Sequence, residues 1–326
     1  MGRVSTRRRV EARRGRVGRA LVVAAVLAGG CGEAQKPPPA QPEVMVPPLC
    51  AYATRTEGGS EASRTLAIAT WFTFLLPGYK LKTSEVTRPL VNCAGQPVRW
   101  TYMGPDCPNL EADLAYLPPT PVRPQDLVLS STSDLQRLVW AAADQLSDGE
   151  SEGPVVLAEF TPSSVAVRAL GTLRALPGRA RLRLVDVQGR SLLVAEGEYC
   201  PPGGGTTGVG KCTRGARIML LTGQRFEPQP LRRDDGACLG PAYFPTARTK
   251  VLTAKDGTRE QITLSSKLEF VPDRLLVHEE VEVRALEGGE PGRLLRQAQA
   301  DRTVRVKAGR LYVSDASLWG RMLRGE

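Results

Sequence analysis

From Val155 onward the apolar positions recur mainly with a period of two. Val165 and Val167 alternate with Ala166 and Arg168, and Leu182 and Leu184 lead through Val185-Asp186-Val187 to Gln188-Gly189. Residues 275–283 alternate through His278, Glu280 and Glu282. Such alternation puts one set of side chains on a core and the other in solvent, the signature of a half-buried strand. Lys255-Asp256-Gly257 lies between the strand-like segments 251–254 and 261–264, and Lys307-Ala308-Gly309-Arg310 between 303–306 and 311–313; both read as hairpin turns. Several strands at short spacing, joined by hairpins and not by helices, predict a mainly β chain with minor α structure. The sheet is expected to be antiparallel and curled or stacked.

One packed helix is predicted over about 133–147. Ser133 and Gln136 have capping-box spacing, and Leu135, Leu138, Val139, Ala142 and Leu146 fall on one helical face. Asp148-Gly149 closes the segment. Ser314 or Asp315 is placed to cap a short final helix carrying Leu318, Trp319, Met322 and Leu323. Upstream, 66–74 and 98–102 are rich in β-branched and aromatic residues that suit strands; the wider run 66–76 fits a buried strand pair or a short helix. Gly104-Pro105-Asp106-Cys107 is a turn signal. The proline-rich stretch 117–124 interrupts regular structure, which suggests an N-terminal unit over 50–124 and a helix-plus-sheet domain over 125–326. A weak echo links the two halves of the sheet region: 176–179, 185–187 and 189–192 are matched in order by 271–274, 281–283 and 292–295.

The N-terminus has a different pattern. Residues 1–20 hold eight arginines and one acid, Glu11, and are followed by the apolar run 21–30 and Cys31. That run is too short for a membrane-spanning helix, which takes roughly 20 residues. A basic segment, a short apolar core and small residues before a cleavage point make a secretory signal. Leu27, Ala28, Gly29, Gly30 and Cys31 resemble the lipobox of bacterial lipoproteins, with Ala28 where a leucine is usual. The resemblance implies that Cys31 carries a lipid, that residues 1–30 are removed, and that the bacterial membrane is a partner through that lipid. An ordinary signal cut near Ala28 is the alternative. In this reading 31–49 form the lipidated cysteine and a tether, whose prolines (Pro37, Pro38, Pro39, Pro42, Pro47, Pro48) favour an extended polyproline form. Gly32, and not Asp, follows the cysteine, so the resemblance implies the cell envelope and its outer membrane.

Charge and cysteine content change the picture in two ways. The net charge of +10 points at first to nucleic acid, but eight arginines and one glutamate lie in residues 1–30. The remaining chain is nearly balanced, at +3, and makes no strong field that would draw a polyanion, so no nucleic-acid partner is expected. Besides Cys31 there are six cysteines: Cys50, Cys93, Cys107, Cys200, Cys212 and Cys238. An even count in an exported chain implies disulfides, and six allow fifteen pairings. Short loops favour Cys93–Cys107 and Cys200–Cys212, with Cys50–Cys238 remaining. There is no CxxC spacing and one histidine in the chain, so no metal site and no cofactor are expected.

Candidate chemistry is sparse. Residues 205–212 (GTTGVGKC) come within one residue of a phosphate-binding P-loop, but Cys212 stands where the motif needs Ser or Thr, so a disulfide-closed loop is the better reading. His278, followed by Glu279, Glu280 and Glu282, has the composition of a general base beside carboxylates; on a strand it belongs to a solvated polar face. Asp234-Asp235 lie in a Gly- and Arg-containing turn. No G-x-S-x-G nucleophile pattern is present, and no catalytic residue is assigned. The resulting expectation is a membrane-anchored envelope lipoprotein with a non-catalytic binding or structural role toward envelope proteins or polymers. The alternatives are an exported hydrolase using paired carboxylates and a lipid-binding carrier.

Overall fold

The period-two segments are strands, and so are several segments without that period. The computed structural model describes residues 46–54, 66–100, 107, 115–147, 149–199, 213–253 and 257–324. The N-terminal part holds β1 (Cys50–Ala53), α1 (Ile68–Leu75), β2 (Tyr79–Lys80) and β3 (Glu85–Val86). Then follow β4 (Leu127–Ser131), β5 (Gln136–Ala141), β6 (Asp144–Gln145), β7 (Ser151–Phe160), β8 (Ser164–Ala175), β9 (Gly178–Val187) and β10 (Arg190–Tyr199). The remainder is β11 (Thr213–Thr222), β12 (Arg225–Pro228), β13 (Pro230–Arg233), β14 (Cys238–Pro241), β15 (Tyr243–Thr253), β16 (Arg259–Val271), β17 (Arg274–Glu287), β18 (Glu290–Lys307), β19 (Arg310–Val313) and α2 (Leu318–Arg324).

The chain is mainly β, with one large, mostly antiparallel sheet. One antiparallel run is β4–β5–β7–β8–β1. A second is β9–β10–β11–β15–β16–β17–β18–β19. The short strand β12 joins them: it pairs antiparallel with the end of β11 and parallel with β8, with Phe226 opposite Gly171. Hairpin chemistry matches the expected turns. Gln188-Gly189 and Ala308-Gly309 all have positive φ, as a two-residue type I′ turn requires; β15 pairs with β16 on either side of Gly257, while Lys255 and Asp256 of that turn lie outside the described residues.

Burial explains which strands alternate. In β17, Leu275, Val277, Val281 and Val283 are buried while His278, Glu280 and Glu282 face outward. β5, β7 and β8 instead have both faces covered. Val139, Val156, Ala158 and Val167 pack with Trp71, Phe72 and Leu75 of α1 on one face. Leu138, Trp140, Val155, Leu157 and Leu173 pack with Leu182, Leu193 and Met219 on the other. A further core joins Leu192, Val194, Ile218 and Leu220 to Leu275, Val277, Val304, Leu311 and Val313.

Double burial overturns the helix expected over 133–147. The segment is the β4–β5 hairpin and strand β5, running toward β6. Five consecutive residues from Leu138 to Ala142 are buried, and a strand covered on both faces loses its period of two. The capping-type hydrogen bond is present, since the Gln136 N–H donates to Ser133 Oγ at 3.1 Å, but it tightens the hairpin turn. The strand reading of 66–74 also fails. That stretch forms α1, which buries Trp71, Phe72, Phe74 and Leu75 while Ile68 stays exposed. The Thr73 hydroxyl bonds back to the Ala69 carbonyl, and Pro77 stops further helix.

The final helix is α2, and its start is held by neither Ser314 nor Asp315. The Ser317 hydroxyl accepts from the Trp319 N–H at 3.3 Å, and buried Glu279 accepts from the Leu318 N–H at 2.7 Å. Disulfides are present, with pairings unlike those expected from short loops: Cys50–Cys93 and Cys107–Cys238, with Cα separations of 6.0 and 5.3 Å. Residues 101–106, Cys31, Cys200 and Cys212 lie outside the described residues.

Candidate functional site

The junction made by β12 forms the floor of a cleft of about 700 Å³. Leu170, Gly171 and Thr172 of β8 and residues 225–228 of β12 make the floor and one side, and Gln96, Pro97, Arg99 and Trp100 make the other wall. The close approach of the two strands depends on Gly171, where a Cβ would lie 2.5 Å from the Phe226 carbonyl oxygen. Leu170 and Phe226 are buried at the base, and Pro97, Trp100 and Pro228 line the space above them. Arg99 and Arg225 are exposed at its rim, and Glu227 is half-buried. A concave site of this size, mostly apolar with a few charged groups, has the general character of a ligand pocket.

A buried charge network stands behind the wall. Glu150 accepts hydrogen bonds from Arg217 Nη2 at 3.0 and 3.2 Å and from Arg174 Nε. Burial opposes its ionisation, but the Arg217 and Arg174 guanidiniums outweigh burial and hold the carboxyl below its ordinary value. Arg217 also lies 4.7 Å from the Trp100 ring centroid and 5.6 Å from that of Tyr243. Glu152, two residues along β7, is 2% exposed. It accepts from the Tyr116 hydroxyl at 2.9 Å and from the Trp100 backbone N–H. Burial pushes the Glu152 carboxyl up, and nearby Asp144 adds to this against the two hydrogen bonds. Burial and then the Glu152 charge push the Tyr116 phenol up to about 12. Glu152 thus fastens the cleft wall to the sheet through Trp100.

The residues singled out from sequence lie elsewhere. His278 sits on the open face of β17, between Lys267 of β16 and Asp301 of β18 in register. Its Nδ1 is 2.8 Å from Asp301 Oδ1 and its Nε2 is 3.2 Å from Glu269 Oε2. The Asp301 hydrogen bond, and then that of Glu269, raise the imidazole pKa above its ordinary value. Ser265, Lys267, Glu280 and Gln299 complete a shallow exposed depression of about 320 Å³. Asp234 pairs with Lys307 at 2.8 Å, and Asp235 accepts from Arg233 and from the Ala237 N–H, in a solvated turn. The stretch 205–212 is outside the described residues.

Sequence reading missed Arg99, Glu150, Glu152, Tyr116, Arg217 and Arg225. Their one legible signal was the pair of carboxylates Glu150 and Glu152 leading directly into the apolar run that starts at Val155. No protein-family model, no curated protein and no solved structure matches this chain.

Proposed function

We propose that the chain is a lipid-anchored protein of the bacterial envelope whose sheet body binds a ligand without transforming it. The lipobox resemblance at Cys31 supports the anchor, and the proline-rich tether would hold the curled or stacked sheet away from the membrane surface. The observation that carries the binding role is the cleft over β8 and β12, with its apolar base and the exposed guanidiniums of Arg99 and Arg225. A photo-crosslinking residue placed at Thr172, in protein expressed in its native envelope, tests this reading. The expected result is a discrete adduct that Arg99→Gln and Arg225→Gln diminish together. Absence of any adduct would contradict it.

One observation favours the exported-hydrolase alternative. Glu150 immediately precedes β7 and Glu152 is its second residue, and their pKa values are pushed in opposite directions, as in acid/base pairs. Against it, the oxygens of both carboxylates are engaged by Arg174, Arg217, Tyr116 and the Trp100 N–H, and neither residue lines the cleft. The pair therefore supports the wall, and binding is the better reading.

A further inference from the structure

We propose that the cleft takes an anionic amphiphile: one apolar chain laid over Leu170 and Phe226, its carboxylate or phosphate head held by Arg99 and Arg225. This rests on reading the cleft as the binding site, and it adds the chemical class of the ligand.

Three interior arginines are matched to carboxylates: Arg174 and Arg217 to Glu150, and Arg302 to Glu279. Several at the surface are matched too, among them Arg88 with Asp144 and Arg296 with Glu260. The guanidiniums of Arg99 and Arg225 have neither an ion-pair nor a hydrogen-bond partner among the described residues, and both residues line the same cleft. Glu227 is the one carboxylate among the described lining residues, so the rim keeps a net positive charge. A guanidinium presents a planar fork of donors that fits a carboxylate or phosphate.

The apolar part of the cleft fixes the rest of the ligand. Pro97, Trp100 and Pro228 line the same cleft as the two cations, with Leu170 and Phe226 the buried apolar part of its lining. A small hydrated anion would leave that surface wet, whereas an attached hydrocarbon chain would cover it and gain by leaving water. The Arg217 guanidinium against the Trp100 ring and the Glu152 bond to the Trp100 N–H hold that wall in place before a ligand arrives. Preorganisation of this kind lowers the cost of binding.

Tryptophan fluorescence supplies the test. The chain has four tryptophans; Trp71, Trp140 and Trp319 are buried, and Trp100 lines the cleft. The full chain, reconstituted in zwitterionic nanodiscs, would be titrated with bromine-labelled dodecanoate, whose bromine quenches nearby indoles. The expected result is saturable quenching that disappears in Trp100→Phe. Affinity should fall at least about ten-fold in Arg99→Gln/Arg225→Gln and by a similar factor for the uncharged methyl ester. A bromine-labelled lysophosphatidate run in parallel separates a phosphate head from a carboxylate head.

Equal binding of acid and ester would overturn the proposal, because the anion would then not be read. Displacement of the dodecanoate by equimolar acetate or inorganic phosphate would overturn it as well, because the chain would then contribute nothing. An adduct at Thr172 without any quenching would sink the amphiphile and leave the binding role standing. Failure of both experiments would remove both.

Discussion

The guanidinium of Arg217 lies 4.7 Å from the ring centroid of Trp100 while two of its hydrogen bonds go to Glu150. One side chain thus connects the buried ion network of Glu150, β8 and β11 to the wall of the cleft. Removing a single member of such a buried network leaves charge without compensation, which typically costs about 3–5 kcal/mol. Glu150→Gln, which strands two buried guanidiniums, is expected to lower unfolding stability by about that amount in urea titrations. A loss within about 0.5 kcal/mol, as at an ordinary surface position, would contradict the network.

Glu150 and Glu152 are expected to give opposite pH dependences. Glu152 has a raised carboxyl pKa in the folded state, so folding favours its protonated form. Its effect is a loss of stability as pH rises from the ordinary value of 4.5 through the raised folded value. Glu150 has a lowered pKa, so its contribution is present above 4.5 and is lost as pH falls through the lowered value. Stability measured against pH should therefore lose, in Glu152→Gln, the decline that sets in above 4.5, while keeping the acid-side fall from Glu150 and the decline above 6.5 from His278. An unchanged decline just above 4.5 in that variant would count against the assignment.

His278 is the one histidine in the chain, so its resonances are assigned without ambiguity. Its raised pKa comes first from the Asp301 hydrogen bond and then from Glu269. Stability from this pair is fully present below 6.5 and is lost as pH rises through the folded value. A proton NMR titration should give a midpoint above 6.5 that moves down in Asp301→Asn. A midpoint at 6.5 in both proteins would mean the contacts do not persist in solution.

The floor of the cleft depends on one missing methyl group. A Cβ on residue 171 would meet the Phe226 carbonyl oxygen at 2.5 Å, and that atom is backbone and has little room to give. Gly171→Val should cost about 1–3 kcal/mol by overpacking and separate β12 from β8. Amide exchange at residues 225–226 should accelerate relative to the rest of the sheet. Equal protection in variant and parent would contradict the close pairing.

Much of the sheet was legible because a half-buried strand records its environment in alternation, as in β17. The turns at 188–189 and 308–309 were legible because only certain residue pairs accept positive φ at both positions. The inner strands were not. From Leu138 to Ala142 both faces are buried, so the apolar run matched a helical face as well as a strand, and the Ser133–Gln136 spacing serves a turn as readily as a helix start. The pairings of Cys50, Cys93, Cys107 and Cys238 were misread because Cys107 and Cys238 are 131 residues apart and meet only through the fold. The cleft was hidden for the same reason. Arg99, Leu170 and Arg225 come from three separate stretches, and only the parallel contact of β8 with β12 brings two of them together.

The most direct test of the account is the intact mass of the protein taken from its native membrane, before and after reduction and alkylation. The account predicts a chain that begins at an acylated Cys31 and whose other six cysteines take up alkyl groups only after reduction. An unprocessed chain with seven free thiols would contradict it, removing the anchor, the export and the disulfides together.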